Sequence, residues 1–156
     1  MAKSKRKESK SRSVGHEAID GTLTGSVLKF NLANEVDLLH RDESWLQSTG
    51  RSSKTLAKYS DLRIVLIAMK ANTRMHEHTA AGRISVQSLY GHILLHLPER
   101  VADLPAGNVL VLDQSVPHDV EALKDSAFLL TLSWPPETIV AETKMAVKKT
   151  ARHKKR

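Results

Sequence analysis

The chain has 156 residues, no cysteine and a formal net charge of +7. That length suits one domain with extensions rather than two domains. The absence of cysteine excludes disulfides, thiolate metal sites and a cysteine nucleophile, and fits a reducing compartment. The charge sits at the ends: residues 1–14 carry +5 and residues 144–156 carry +7, which leaves −5 on the middle. No apolar stretch follows the basic start, so no secretory signal is read, and no run of about 18 apolar residues could span a membrane. A cytoplasmic location is the expectation.

In chain order, residues 1–15 are mainly Lys, Arg and Ser. They offer too little apolar surface to offset their ordering entropy, which predicts a disordered basic tail. Residues 16–60 are expected to pack on a barrel as strand or helix. Val27, Leu28, Phe30 and Leu32 read as a short strand. Residues 33–46 are ambiguous: Val36, Leu39 and Leu46 have loose helical spacing, and Asn34 suits a helix start. Residues 47–54 (QSTGRSSK) read as a loop.

Strands then crowd together over residues 61–134. Residues 62–69 form an apolar run, Ala71 and Asn72 a turn, and residues 84–90 and 93–97 two strands separated by Gly91. Residues 104–108 (LPAGN) read as a turn, followed by strands at 109–112, 116–123 and 128–134. Short strands with frequent turn signals predict an all-β sandwich or barrel. The lack of a long helical pattern argues against parallel βαβ units. Pro135 and Pro136 stop the last strand, and residues 135–156 form a second basic tail.

His76-Glu77-His78 is the first chemical signal. On a regular strand, alternate side chains share a face, so His76 and His78 would project together with Glu77 turned away. Such a pair can begin a Zn, Fe, Mn, Ni or Cu site. In isolation it is more often two solvated residues beside a turn.

The wider pattern resembles the cupin superfamily. Its first motif reads Gly, five residues, His-x-His, three or four residues, Glu, six residues, Gly. Its second reads Gly, five residues, Pro-x-Gly, two residues, His, three residues, Asn. Here His76, His78 and Gly91 match the first, and Gly107 and His118 match the second. The resemblance implies a single cupin-type jelly-roll β-barrel that brings both motifs together. It implies a divalent metal on His76, His78 and His118, a small-molecule ligand in the barrel, and a homodimer. Dioxygenase- or isomerase-like chemistry would follow from open positions on such a metal.

The departures are specific. Lys70 stands for the first Gly, no Glu occupies the metal-ligand position, and Asp113, Ser115 and Ala122 replace Pro, Gly and Asn. A barrel holding an organic ligand without metal is therefore the alternative, and the residues do not decide between an enzyme and a binding module.

Other residues read more plainly. His92 and His96 share one parity and suit a solvated outer face, although an inward parity would make either a fourth ligand. Gln87 could serve only after a register shift. Asp119 follows His118 and should face away from it. Arg83 is a loop arginine able to take an anionic group at a barrel mouth. Trp45 and Trp134 suit core or interface positions. No glycine loop for phosphate and no serine nucleophile elbow occurs. The basic tails could grip nucleic-acid phosphates in a salt-sensitive way, but solubilising ends explain them as well.

Overall fold

The computed structural model describes residues 23–135. The basic segments at the two ends, and the disorder and phosphate contacts expected of them, lie outside the described residues apart from Pro135. Among the described residues no helix is long and apolar enough to cross a membrane.

Two antiparallel sheets face each other. The strands are β1 (Arg51–Lys58), β2 (Leu62–Met69), β3 (Arg74–His78), β4 (Arg83–Tyr90), β5 (His92–His96), β6 (Val101–Pro105), β7 (Val109–Leu112), β8 (His118–Ala122) and β9 (Ser126–Ser133). One sheet has the order β1-β2-β9-β4-β7 and the other β3-β8-β5-β6. This is an all-β fold, as the strand spacing predicts, in the jelly-roll barrel form that the resemblance implies.

Alternation builds the core. Ile67, Met69, Ile84, Val86, Leu112 and Phe128 from the larger sheet meet Ile93, Leu95, Leu104, Val120 and Ala122 from the smaller. The uninterrupted apolar run of β2 has a physical reason: both of its faces are covered. Ile67 and Met69 face the barrel interior, while Leu66 and Ala68 pack with Val36, Leu39 and Trp45 on the outside.

That outer cover is helix α1 (Leu32–Leu39) and the π-helical turn Ser44–Ser48. The strand expected at residues 27–32 is therefore not formed: Leu32 opens a helix. Asn31, not Asn34, is its cap, and its side chain accepts from the Asn34 N–H at 3.3 Å. Ser52 Oγ donates to the Leu39 carbonyl at 3.0 Å, satisfying one of the free acceptors at the helix end. Lys54 pairs with Glu35 at 2.7 Å and ties β1 to α1.

Two strands were not read from the sequence, and β3 was raised only as a conditional setting for His76 and His78. Residues 47–54 looked like a loop, yet Arg51–Lys58 pairs with β2 along its length, with a bulge between Thr55 and Ala57. It is a polar edge strand whose Ser52 is buried under the helix rather than solvated. Leu104 and Pro105 looked like part of a turn, but they end β6, where Leu104 enters the core. Pro105 is tolerated because β6 is an edge strand.

Gly91 alone carries the chain from one sheet to the other. Its φ is +78°, and a Cβ there would lie 2.3 Å from the Asp125 carbonyl oxygen and from Ser126 Oγ. Only glycine combines that conformation with that approach. The connections 59–61, 79–82, 97–100 and 113–117 all fall at the other end of the barrel, its mouth.

Candidate functional site

The mouth holds the clearest chemical grouping. His78 ends β3 and His118 opens β8, directly opposite each other in the antiparallel pair. Their ring centroids are 4.4 Å apart, with planes tilted by 59°. His118 is buried on the side shared with Val120 and Ala122, whereas His78, on an edge strand, is exposed.

Each ring is fixed in the same way. His78 Nδ1 donates to the His76 carbonyl and His118 Nδ1 to the Val116 carbonyl, both at 2.8 Å. A carbonyl oxygen only accepts, so Nδ1 carries a proton, and in the neutral ring the Nε2 lone pair is free. Two imidazoles with free Nε2 atoms can accept a proton, accept a hydrogen bond or ligate a cation.

His76 is not brought into this ring pair. The register between β3 and β8 shifts between Met75 and His78, where one extra residue bulges out of the ladder. The bulge breaks the alternation that would have put His76 and His78 on one face. Met75 packs on the core, His78 meets His118, and His76 falls with Arg74 on the outer side. His76 contributes its backbone carbonyl to the pair, not its ring. Among the described residues no three His, Asp or Glu side chains converge as a metal would require. Two ring donors fit a divalent ion, but the three-ligand set of a catalytic metal centre is not assembled.

The remaining polar residues sort by face. Asp119 points outward, as alternation predicted, and pairs with Arg74 at 2.6 Å. The hydrogen bond from Arg74 holds the Asp119 carboxyl below its ordinary range, with smaller help from His96 and His76. His96 bonds Glu121 at 2.8 Å and His92 bonds Asp103, so both lie on the outer face as expected. Arg83 is exposed and paired with Asp113 at 3.1 Å, which occupies the guanidinium suggested for an anion. The Gln114 N–H and then Arg83 hold the Asp113 carboxyl below its ordinary range.

Arg63 escaped the sequence reading because it lies inside an apolar run. Its register partner is Leu132, and Leu132 in turn faces Ile84, so Arg63 belongs to the inward row at the mouth end of the larger sheet. Its guanidinium carbon lies 6.0 Å from the Trp134 ring centroid. A groove of about 680 Å³ also opens at this end, lined by Leu97, Arg100, Asp113, Val116 and Pro117. A separate cleft of about 590 Å³ lies at the far end between α1 and β4, where Tyr90 OH and His40 Nε2 share a hydrogen bond of 2.7 Å. Burial pushes the Tyr90 hydroxyl above its ordinary range.

Solved structures resemble this arrangement. A cupin-2 domain protein from Shewanella frigidimarina superposes with a TM-score of 0.55 at 16% identity, over 67% of this chain and 94% of that one. KdgF from Halomonas sp. gives 0.52 at 19% identity, over 60% and 88%. A variant of salicylate 1,2-dioxygenase from Pseudoaminobacter salicylatoxidans gives 0.60 at 12% identity, over 72% of this chain but 36% of the enzyme. No protein-family model matches the chain, and no curated protein does. At these identities the likeness is one of architecture, and architecture does not carry function with it. The chain has the cupin fold.

Proposed function

We propose that the protein is a small-molecule-binding cupin whose ligand sits at the barrel mouth against His78 and His118. The observation that supports this most is the ring pair: two imidazoles in contact, both with Nδ1 tied to backbone and Nε2 free. A ligand must lie at the mouth because the interior below is filled by Phe128, Leu95, Ile93 and Val120. Bound there, it would accept no proton from the Nε2 atoms but could donate to either, and one histidine could act as a base toward it.

A second reading, a divalent-metal enzyme on His76, His78 and His118, draws support from the same free Nε2 atoms. It needs the bulge at His76 to rearrange. The two readings separate by elemental analysis of untagged protein, with His76→Ala, His78→Ala and His118→Ala beside the wild type. The first reading expects no stoichiometric metal after incubation with Fe, Mn, Ni, Cu and Zn salts. About one metal per chain, lost in all three variants, would overturn it in favour of the second. A homodimer remains part of the proposal, supported by the exposed Val109 and Val111 on the outer side of β7. Light scattering on the eluted protein tests it, and a monomeric mass would reject it.

A further inference from the structure

Among the described residues, the mouth contains a cation without a counter-ion. Arg63 Nε is buried and has no hydrogen-bond partner, and among the described residues no ion pair or hydrogen bond reaches its guanidinium. A guanidinium carries five donors and stays charged, so an unpaired one with a buried Nε is costly unless something accepts from it. Directly opposite Arg63 on β1 is Lys58, a second cation in register. Like charges facing each other across a strand pair repel, and an anion between them would relieve that.

The local structure holds Arg63 for such a partner. Its neighbour in the inward row is apolar Leu132, and Trp134 covers it from the end of β9. The backbone at Trp134 is held by its main-chain N–H donating to the Asp61 carbonyl at 2.9 Å. Gly82 is pressed against the same strand end, where a Cβ would come within 2.4 Å of the Ser133 carbonyl oxygen. Arg83, another arginine at the mouth, already has Asp113. The β2–β3 connection is four residues long, and β2 begins at the end of the barrel where β3 finishes. Arg63 therefore approaches the mouth from one sheet while His78 and His118 approach it from the other.

We propose that the ligand of this mouth is a small organic acid whose carboxylate is received by the Arg63 guanidinium through its Nη–H donors. This rests on the mouth being the binding site and adds the class of ligand. The Trp134 ring lies 6.0 Å from the guanidinium carbon, and the apolar neighbours Leu132 and Ile84 suit a hydrocarbon body.

The test is a titration of the full chain with benzoate, benzamide and inorganic phosphate. It is followed through the Arg63 Nε–H signal and the ring signals of His78 and His118. Benzoate should shift the Arg63 signal while benzamide does not. Arg63→Gln should weaken benzoate binding by about tenfold or more, and Arg63→Lys, which keeps the charge but loses the fork, by several-fold. Benzoate and benzamide binding equally, phosphate binding as well as benzoate, or unchanged affinity in both variants would each overturn the carboxylate assignment. Movement of the histidine signals without the Arg63 signal would overturn it while leaving the mouth as the site. Movement of Arg63 without the histidines would uphold the anion position, because benzoate carries no donor for a bare Nε2.

Discussion

The two faces of the β3-β8-β5-β6 sheet use the same residue type for opposite ends. On the outer face, His92 and His96 each bond a carboxylate, Asp103 and Glu121, and Arg74 bonds Asp119. His92 and His96 each have an acidic partner, and the Asp119 end of the Arg74 pair is buried. On the inner face, His78 and His118 bond only backbone carbonyls and touch each other. A histidine tied to a carboxylate is committed to that partner. A histidine tied through Nδ1 to its own backbone keeps Nε2 for something else. The difference teaches that hydrogen-bond partners, rather than the count of histidines, mark the site.

The comparison can be tested first through packing. Leu95 is fully buried on the inner side of β5, and its neighbour Leu94 faces the other way. Leu95→Ala should destabilise by about 2–5 kcal/mol and Leu94→Ala by less than about 1 kcal/mol in urea unfolding. Equal losses would mean that the outer face is also covered.

The next effect is on binding. His118→Gln should weaken a mouth ligand by about tenfold, while His96→Gln should leave affinity within about twofold. Isothermal titration with the same ligand on both variants checks this, and a reversed order would move the site to the outer face.

A smaller effect concerns a polar atom on the inner side. Ser88 lies opposite Phe128, is buried, and its Oγ has no partner. Ser88→Ala should be neutral or stabilising by up to about 1 kcal/mol, because it removes an unsatisfied hydroxyl. A clear loss of stability would show that the hydroxyl has a partner after all.

The smallest effect is the pH dependence of the outer pair. The folded pKa of Asp119 is depressed by Arg74, so the stability it contributes is full above the ordinary carboxyl pKa and is lost as pH falls through the lower, folded value. Wild type should melt above Asp119→Asn by no more than about 3 °C at neutral pH, and the gap should close below pH about 4. A gap that widened in acid would contradict the ion pair.

Much of this molecule was legible in the sequence, for identifiable reasons. The strands β2, β4, β5, β7, β8 and β9 carry runs of Val, Ile and Leu between turn residues, and the barrel follows from them. The outward facing of His92, His96 and Asp119 followed from parity alone. β1 was hidden because its polar Ser52 is satisfied by the Leu39 carbonyl on α1, a tertiary partner that composition does not encode. β6 was hidden because Pro105 reads as a turn residue until the strand is known to be an edge.

The site was half legible. His78 and His118 were singled out and are together, but the shared face of His76 and His78 was argued from period-two alternation, and a single bulged residue cancels that argument. Local bulges depend on ladder pairing with β8, some forty residues away in the chain, and leave no mark in the run RMHEH. Arg63 was missed for the converse reason. Its neighbours Leu62 and Ile64 made it look like one polar interruption in a core strand, and only the register with Leu132 and the ring of Trp134 give it a place at the mouth.

The most direct test of the central claim is the tautomer of the two mouth histidines, read from long-range proton–nitrogen correlation spectra of the ring-labelled protein at a pH where they are neutral. The account predicts Nδ1–H and a bare Nε2 for both His78 and His118, with the Nε2 signals moving when a mouth ligand is added. Protonated Nε2 on either ring, or Nε2 signals indifferent to every ligand that binds, would contradict it.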